Sequence, residues 1–431
     1  MFLFLFLLTI PNKCAIIFSR LRGGFIVIRE YMIDLGYSDS DIDKIINTYP
    51  LTNCVENTLC SKVISVYNFL AETGFSKEEI LRATRRFPQL FSYSPKTLEY
   101  RIKEIMTLGY SYEEVIQMIK KLPQMYTYSL KNLQIKIDDM VKLGYNRIDV
   151  IRICKISPMI YGLSINTLKK KFEYMRKLGY SDNEIIKITR MLPYFYTINE
   201  KSIEQKIDDM VNIFKCERDD VLKMIKFNAN FLIHNIEPVI DKAVLLGYNR
   251  EHVLKMYRAF PQLFSISIDN MKNKANELLN LGYNLMQILS ITYICPKIFS
   301  YSIDKIRQRI DDLVGFGYTL EQAREITIKL PSIFGFSIDN LREKKDFYDS
   351  IGLGNIFIKD PKQIIQSIDL SYARYMFYKS IGIDLTMSNY LMLFYNQSIF
   401  KKRFGITNED LVRRYSYKEN ISDKEMLIKN R

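Results

Sequence analysis

The sequence predicts an all-α superhelical solenoid, built from tandem helix–link–helix repeats of about 35 residues. Two periodic marks and one apolar pattern carry that expectation. A glycine, most often within Leu-Gly-Tyr, recurs at Gly36, Gly74, Gly109, Gly144, Gly179, Gly247, Gly282, Gly317 and Gly352. Fourteen residues behind nearly every glycine stands a proline: Pro50, Pro88, Pro123, Pro158, Pro193, Pro261, Pro296 and Pro331. Between the marks, apolar residues fall at i, i+3, i+4 and i+7, the spacing of one buried helix face. One register is degenerate, with Phe214 and Asn228 in the Gly and Pro places and the next glycine arriving early.

The unit from Gly109 to Gly144 shows the logic. Gly109 suits the left-handed residue that ends a helix, where a side chain is penalised. Ser111 with Glu114 then forms a capping box, repeated as Ser76/Glu79, Ser181/Glu184, Asn284/Gln287 and Thr319/Gln322. The first helix of the unit, helix A, presents Val115, Met118, Ile119 and Leu122 on one stripe. Pro123 stops it, lacking an N–H and clashing with the preceding turn. An aromatic-rich link, Gln124 to Tyr128, recurs as Gln89 to Tyr93 and as Lys297 to Tyr301. Its rings are expected to fill the core between repeats rather than to stack on bases. Ser129 caps helix B, which is expected to bury Leu133, Ile137, Met140 and Val141. Neither helix can hide its stripe alone, so successive repeats must stack.

Three regions follow. Residues 1–28 are an atypical start, with the apolar run MFLFLFLLT and no acidic residue, and are a candidate targeting segment. Residues 29–352 are the repeat array. Residues 353–431 are expected to form a helical cap that keeps Gly382 but loses the proline beat.

Composition narrows the function. The chain has 431 residues and a formal charge of +14, from 62 basic against 48 acidic residues, which favours polyanionic partners. Six scattered cysteines with no CxxC pair and only two histidines offer no metal site or disulfide framework, and the thiols are expected to be buried and free. No P-loop, GxSxG, HExxH or dinucleotide fingerprint is present. The expectation is therefore a chain without catalytic residues, metal or cofactor, acting as a monomer with no small-molecule substrate.

Two positions are basic in repeat after repeat. Thirteen residues beyond the proline, on helix B, stand Arg101, Lys136, Lys171, Lys206, Lys274, Arg309 and Lys344. Three residues before it, late on helix A, stand Arg85, Lys120, Lys155, Arg190 and Arg258. Stacking would turn one cation per repeat into a charged line able to track a phosphate backbone. Lys136 lies about 90° from the centre of its apolar face, at the edge of the buried stripe, where its head could stay free; Lys131 and Lys142 point farther away. Arg85, Arg86, Arg190 and Arg258 are the candidates for reading base edges. A bland alternative stands beside these readings. Lys136, Lys206 and Arg309 each precede two aspartates, and the helix-A bases could simply favour a helix C-terminus.

Gly-[Tyr/Phe]-[Ser/Asn]-x-x-[Glu/Asp], an apolar helix, Pro-x-[Leu/Ile/Met]-[Phe/Tyr] and then Leu-x-x-[Lys/Arg]-x-x-x-[Met/Leu]-x-x-Leu-Gly resembles the mitochondrial transcription termination factor family. The resemblance covers roughly residues 30–352. It implies a left-handed helical solenoid whose concave basic face holds double-stranded DNA or structured RNA. It also implies a place in mitochondria or another organelle, with cytoplasm as the alternative, and a role in terminating or regulating transcription. Ribosome assembly or splicing through RNA is the second role it allows. A non-catalytic protein-interaction scaffold with solvated charges is the reading from a different class.

Overall fold

Proline at the first position of a short 3-10 turn is what divides each repeat. In a computed structural model that describes residues 24–48 and 56–415, helix A of one unit runs Tyr112–Lys121, the turn Pro123–Thr127, and helix B Leu130–Lys142. The apolar start before residue 24, Pro50, Cys14, Cys54 and everything after 415 lie outside the described residues. All ten 3-10 turns lie between or after α-helices, and there is no strand among the described residues. The fold class is therefore all-α, with tandem repeats stacked as a helical solenoid.

Local chemistry explains each boundary. The five expected capping boxes all form, and Ser38 with Asp41 makes a sixth. Leu122, just before the proline, is driven to φ −137° and ψ 83°, because a proline ring disfavours helical backbone in the residue before it. Gly109 sits at φ +110°, a conformation that ordinary side chains resist.

The stripes pack as the periodicity requires, with two adjustments. Val115, Met118 and Ile119 are buried, and so are Leu133, Ile137 and Met140. Leu122 is only half-buried, because it belongs to the turn rather than the helix. Val141, expected inside, is 40% exposed, since it lies one residue past Met140 and turns outward. The link aromatics fill the interior: Phe91, Tyr126, Phe195 and Phe334 are all shut off from solvent.

The tyrosine that follows the glycine has a partner in the next repeat. Tyr37 meets Thr84 Oγ1 at 2.7 Å, Tyr248 meets Thr292 at 2.6 Å, and Tyr283 meets Thr327 at 2.7 Å. Tyr145 is held by both Thr189 at 2.5 Å and Tyr196 at 2.6 Å. Where Cys154 replaces the threonine, Tyr110 turns to the Tyr161 hydroxyl at 2.7 Å. A buried hydroxyl needs such a partner, and the pairing fixes the register of one repeat on the next. Burial pushes the phenols of Tyr37 and Tyr145 up to about 12.

The degenerate repeat is one residue out of the expected register. Lys215, not Phe214, takes the left-handed place, at φ +49°, while Phe214 is buried. Ala229, not Asn228, starts the 3-10 turn, and Asn228 caps it by accepting from the Asn230 N–H. Helix B of this repeat, Glu237–Val244, has 8 residues against 13 for Leu130–Lys142, which accounts for the early glycine. Lysine pays for the left-handed turn in local strain. Lys215→Gly is expected to raise stability by roughly 0.5–1 kcal/mol in a denaturant titration, as the constraint on a Cβ is lifted. A loss of stability would show that the Lys215 side chain holds something that outweighs the strain.

The proline beat does not stop at residue 353. Pro361 opens another 3-10 turn, Ser367 caps the helix Ile368–Ser380, and Gly382 follows at φ +73°. Only helix A is cut down, to Ile356–Lys359. Beyond it come the turn Tyr390–Phe394 and the helices Gln397–Phe404 and Asn408–Arg414. The chain divides into two compact units, residues 1–206 and 207–431. Within the second, Arg374 is buried under these last helices. It donates to Leu393 O at 2.9 Å and to Asn408 Oδ1 at 2.8 Å, with its guanidinium 4.7 Å from the Phe400 ring centre. No described helix is long and apolar enough to cross a membrane.

Candidate nucleic-acid interface

Helix B carries its repeated base at its middle, on the flank of the apolar stripe. Four of the seven heads are not free. Lys136 donates to Leu163 O, Lys171 to Ile198 O at 2.5 Å, Arg309 to Phe336 O, and Lys344 to Ile364 O at 2.5 Å. In every case the acceptor is a carbonyl at or beside the end of the next repeat's 3-10 turn. That carbonyl has no helical partner, and the cation supplies the missing donor. All four residues are buried, and burial pushes the three lysines and Arg309 below their usual ranges. The expectation of free heads at the stripe's edge is corrected at these four: the stem follows the apolar surface inward, and the head ends on backbone.

The other three differ, although the Lys274 side chain too is only 11% exposed. Arg101 pairs with Glu104, and Lys274 with Glu277 at 2.5 Å. Lys206 is half-buried. Of the aspartates after Lys136, Asp138 accepts from Gln134 at 2.7 Å, while Asp139 favours the charged form of Lys136 through space. Arg309 does take Asp312, at 2.9 Å.

The helix-A bases follow a second rule. Arg85 meets Asp41 at 2.8 Å, Lys120 meets Glu79 at 2.7 Å, Lys155 meets Glu114 at 2.7 Å, and Arg190 meets Asp149 at 3.1 Å. Each acid is the third residue of the preceding repeat's helix A, the same carboxylate position that closes the capping boxes of Ser38, Ser76 and Ser111. Arg85 and Lys120 also donate to the carbonyls of Gly36 and Gly74, at 3.1 and 2.7 Å. So one cation ties the end of one helix A to the start of the previous one. Arg85, Lys155 and Arg190 remain 40–45% exposed and keep an outer face, whereas Lys120 is at 13%.

Two places in the second unit depart from this rule. At one, the equivalent residues His252 and Tyr293 meet as tilted rings, with centroids 4.3 Å apart. Arg258 makes no ion pair and stands exposed. Asp220, which occupies the partner position, is taken by Lys223 of its own helix at 3.0 Å. Arg86 is exposed as well.

A set of bases outside the two expected lines has free heads. Lys96, Lys131 and Lys201 occupy the second residue after the helix-B cap position in three repeats of the first unit, and Lys169 stands three residues further along in the intervening one. All four are exposed and form no ion pair. The recurrence of Lys96, Lys131 and Lys201 eight residues beyond the proline was the available signal. Among the described residues no group of acids, histidines or cysteines could hold a metal. Of the described cysteines, Cys154 is buried and Cys60, Cys216 and Cys295 are half-buried, all as free thiols.

The family model for mTERF matches four overlapping stretches, residues 28–143, 136–246, 173–305 and 234–352. The chain belongs to the mTERF family. The overlaps follow the repeat, since a model sliding by whole units finds the same marks again. No curated protein matches this mTERF chain. Membership suggests a nucleic-acid-binding repeat protein.

Proposed function

We propose that this mTERF protein is non-catalytic and binds double-stranded DNA along its repeats, arresting or regulating transcription in an organelle. The observation that carries the reading is the line of free cations on the first unit. Lys96, Lys131, Lys169 and Lys201 supply one exposed, unpaired positive charge per repeat. A periodic row of this kind suits a periodic polyanion, and its contribution is electrostatic and salt-sensitive. The outer faces of Arg85, Lys155 and Arg190 add to the charge without being free of their carboxylates.

The test is binding of a labelled DNA duplex and a matched structured RNA across a salt series. Lys96→Ala/Lys131→Ala/Lys201→Ala is expected to make the slope of log affinity against log salt shallower by roughly 3, near 0.9 for each lost duplex-phosphate contact. Folding stability should move by less than about 0.5 kcal/mol, since the three heads touch nothing. An unchanged slope would remove these lysines from the interface. Preference for the RNA would replace the transcription role with one in ribosome assembly or splicing.

A further inference from the structure

Where the helix-A ladder fails, it leaves a depression. Helices Arg218–Phe227 and Arg250–Ala259, the helix-A elements of adjacent repeats, line it with Lys223, Lys255, Arg258 and Asp220. Phe227 also lines it and is 45% exposed, unusual in a chain whose phenylalanines mostly fill the core. In the first unit a cation like Arg258 is tied to the preceding repeat's carboxylate. Here that carboxylate is drawn to Lys223, and Glu217, at the cap, makes no side-chain cap bond. Three exposed cations thus line an open hollow whose one carboxylate, Asp220, is paired with Lys223, and an aromatic ring stands at its rim.

We propose that this hollow is a phosphate-binding site, holding the sugar–phosphate backbone of a nucleic acid with Arg258 and Lys255 as the main contacts. The site rests on the nucleic-acid reading above and adds a specific place to it. Arginine's planar fork can hold two phosphate oxygens at once, while Lys255 adds a point charge from the same helix, one turn earlier. Phe227 offers apolar surface to the sugar or base beside the phosphate, the pairing of ring and charge that nucleic-acid grooves use. Asp220 works against the ligand, so its neutralisation should help binding.

The experiment uses the full chain with the same duplex DNA and structured RNA over a salt series. Lys255→Gln/Arg258→Gln is expected to lower the salt slope by roughly 2, for two phosphate contacts. Asp220→Asn should tighten binding roughly threefold at low salt, a gain that a damaged fold would not produce. If the natural chain binds but the double variant keeps its affinity and slope, or Asp220→Asn fails to tighten binding, the site is overturned while the broader reading stands. If the natural chain binds neither nucleic acid, the broader reading falls and takes the site with it.

Discussion

Arg374→Ala is expected to cost the second unit about 3–5 kcal/mol. The side chain is 1% exposed and no carboxylate pairs with it. Its charge is instead met by Leu393 O, by Asn408 Oδ1 and by the face of Phe400, so removal leaves polar atoms without a donor and opens a large cavity. Burial alone already pushes its pKa below the usual arginine range, a sign of how much the surroundings must compensate. Arg374→Lys should recover only part of the loss, because a single ammonium cannot reach both oxygens from one planar group. Chemical denaturation of the full chain reads this. Two resolved transitions, with only one shifted, would place the loss in the second unit. A loss under about 1 kcal/mol for the alanine variant would mean that the last helices do not depend on this residue.

The second large effect concerns the basic line on helix B. Lys171→Ala is expected to destabilise the first unit by about 2–3 kcal/mol, through the unmet Ile198 carbonyl and the lost packing of the lysine stem. Lys171→Met keeps the stem and relieves the buried charge, so its cost should be smaller, about 1 kcal/mol. The Lys171 side chain is 8% exposed, so its ammonium is out of free solvent and burial holds its pKa down. Lys131→Ala is the contrast: an exposed neighbour whose loss should leave stability within about 0.5 kcal/mol while weakening nucleic-acid binding. The pair separates the two roles of a cation in this fold. Equal stability of Lys171→Ala and Lys131→Ala would refute a structural role for the Lys171 contact with the Ile198 carbonyl.

Much of this architecture was legible in the residues. Gly109, Ser111, Glu114, Pro123 and Ser129 act on backbone within a few positions of themselves, and local rules are readable without knowing the fold. The same holds for the stripes, because a helix face follows from spacing alone. Errors appeared where a single residue could sit on either side of a boundary. Phe214 and Lys215 are adjacent, and only the backbone shows which one takes the left-handed turn. Val141 is one residue beyond a buried neighbour and faces out.

The sequence by itself thus determined the repeat, its helix ends, its apolar faces and the positions at which cations recur. What each cation does was decided by the tertiary structure. Lys136 and Lys131 are separated by five positions on one helix, the first at the edge of the apolar stripe and the second farther from it. One ends on a carbonyl 27 residues away, and the other ends in water. The difference lies in the neighbouring repeat, which brings an unmet carbonyl within reach of one head and not the other. A long, flexible, charged side chain takes whichever partner lies within its reach. For Arg101 and Lys274 that is an acid one turn along the same helix, but for Lys136 and Lys171 it is a carbonyl that only the stacking of repeats brings near.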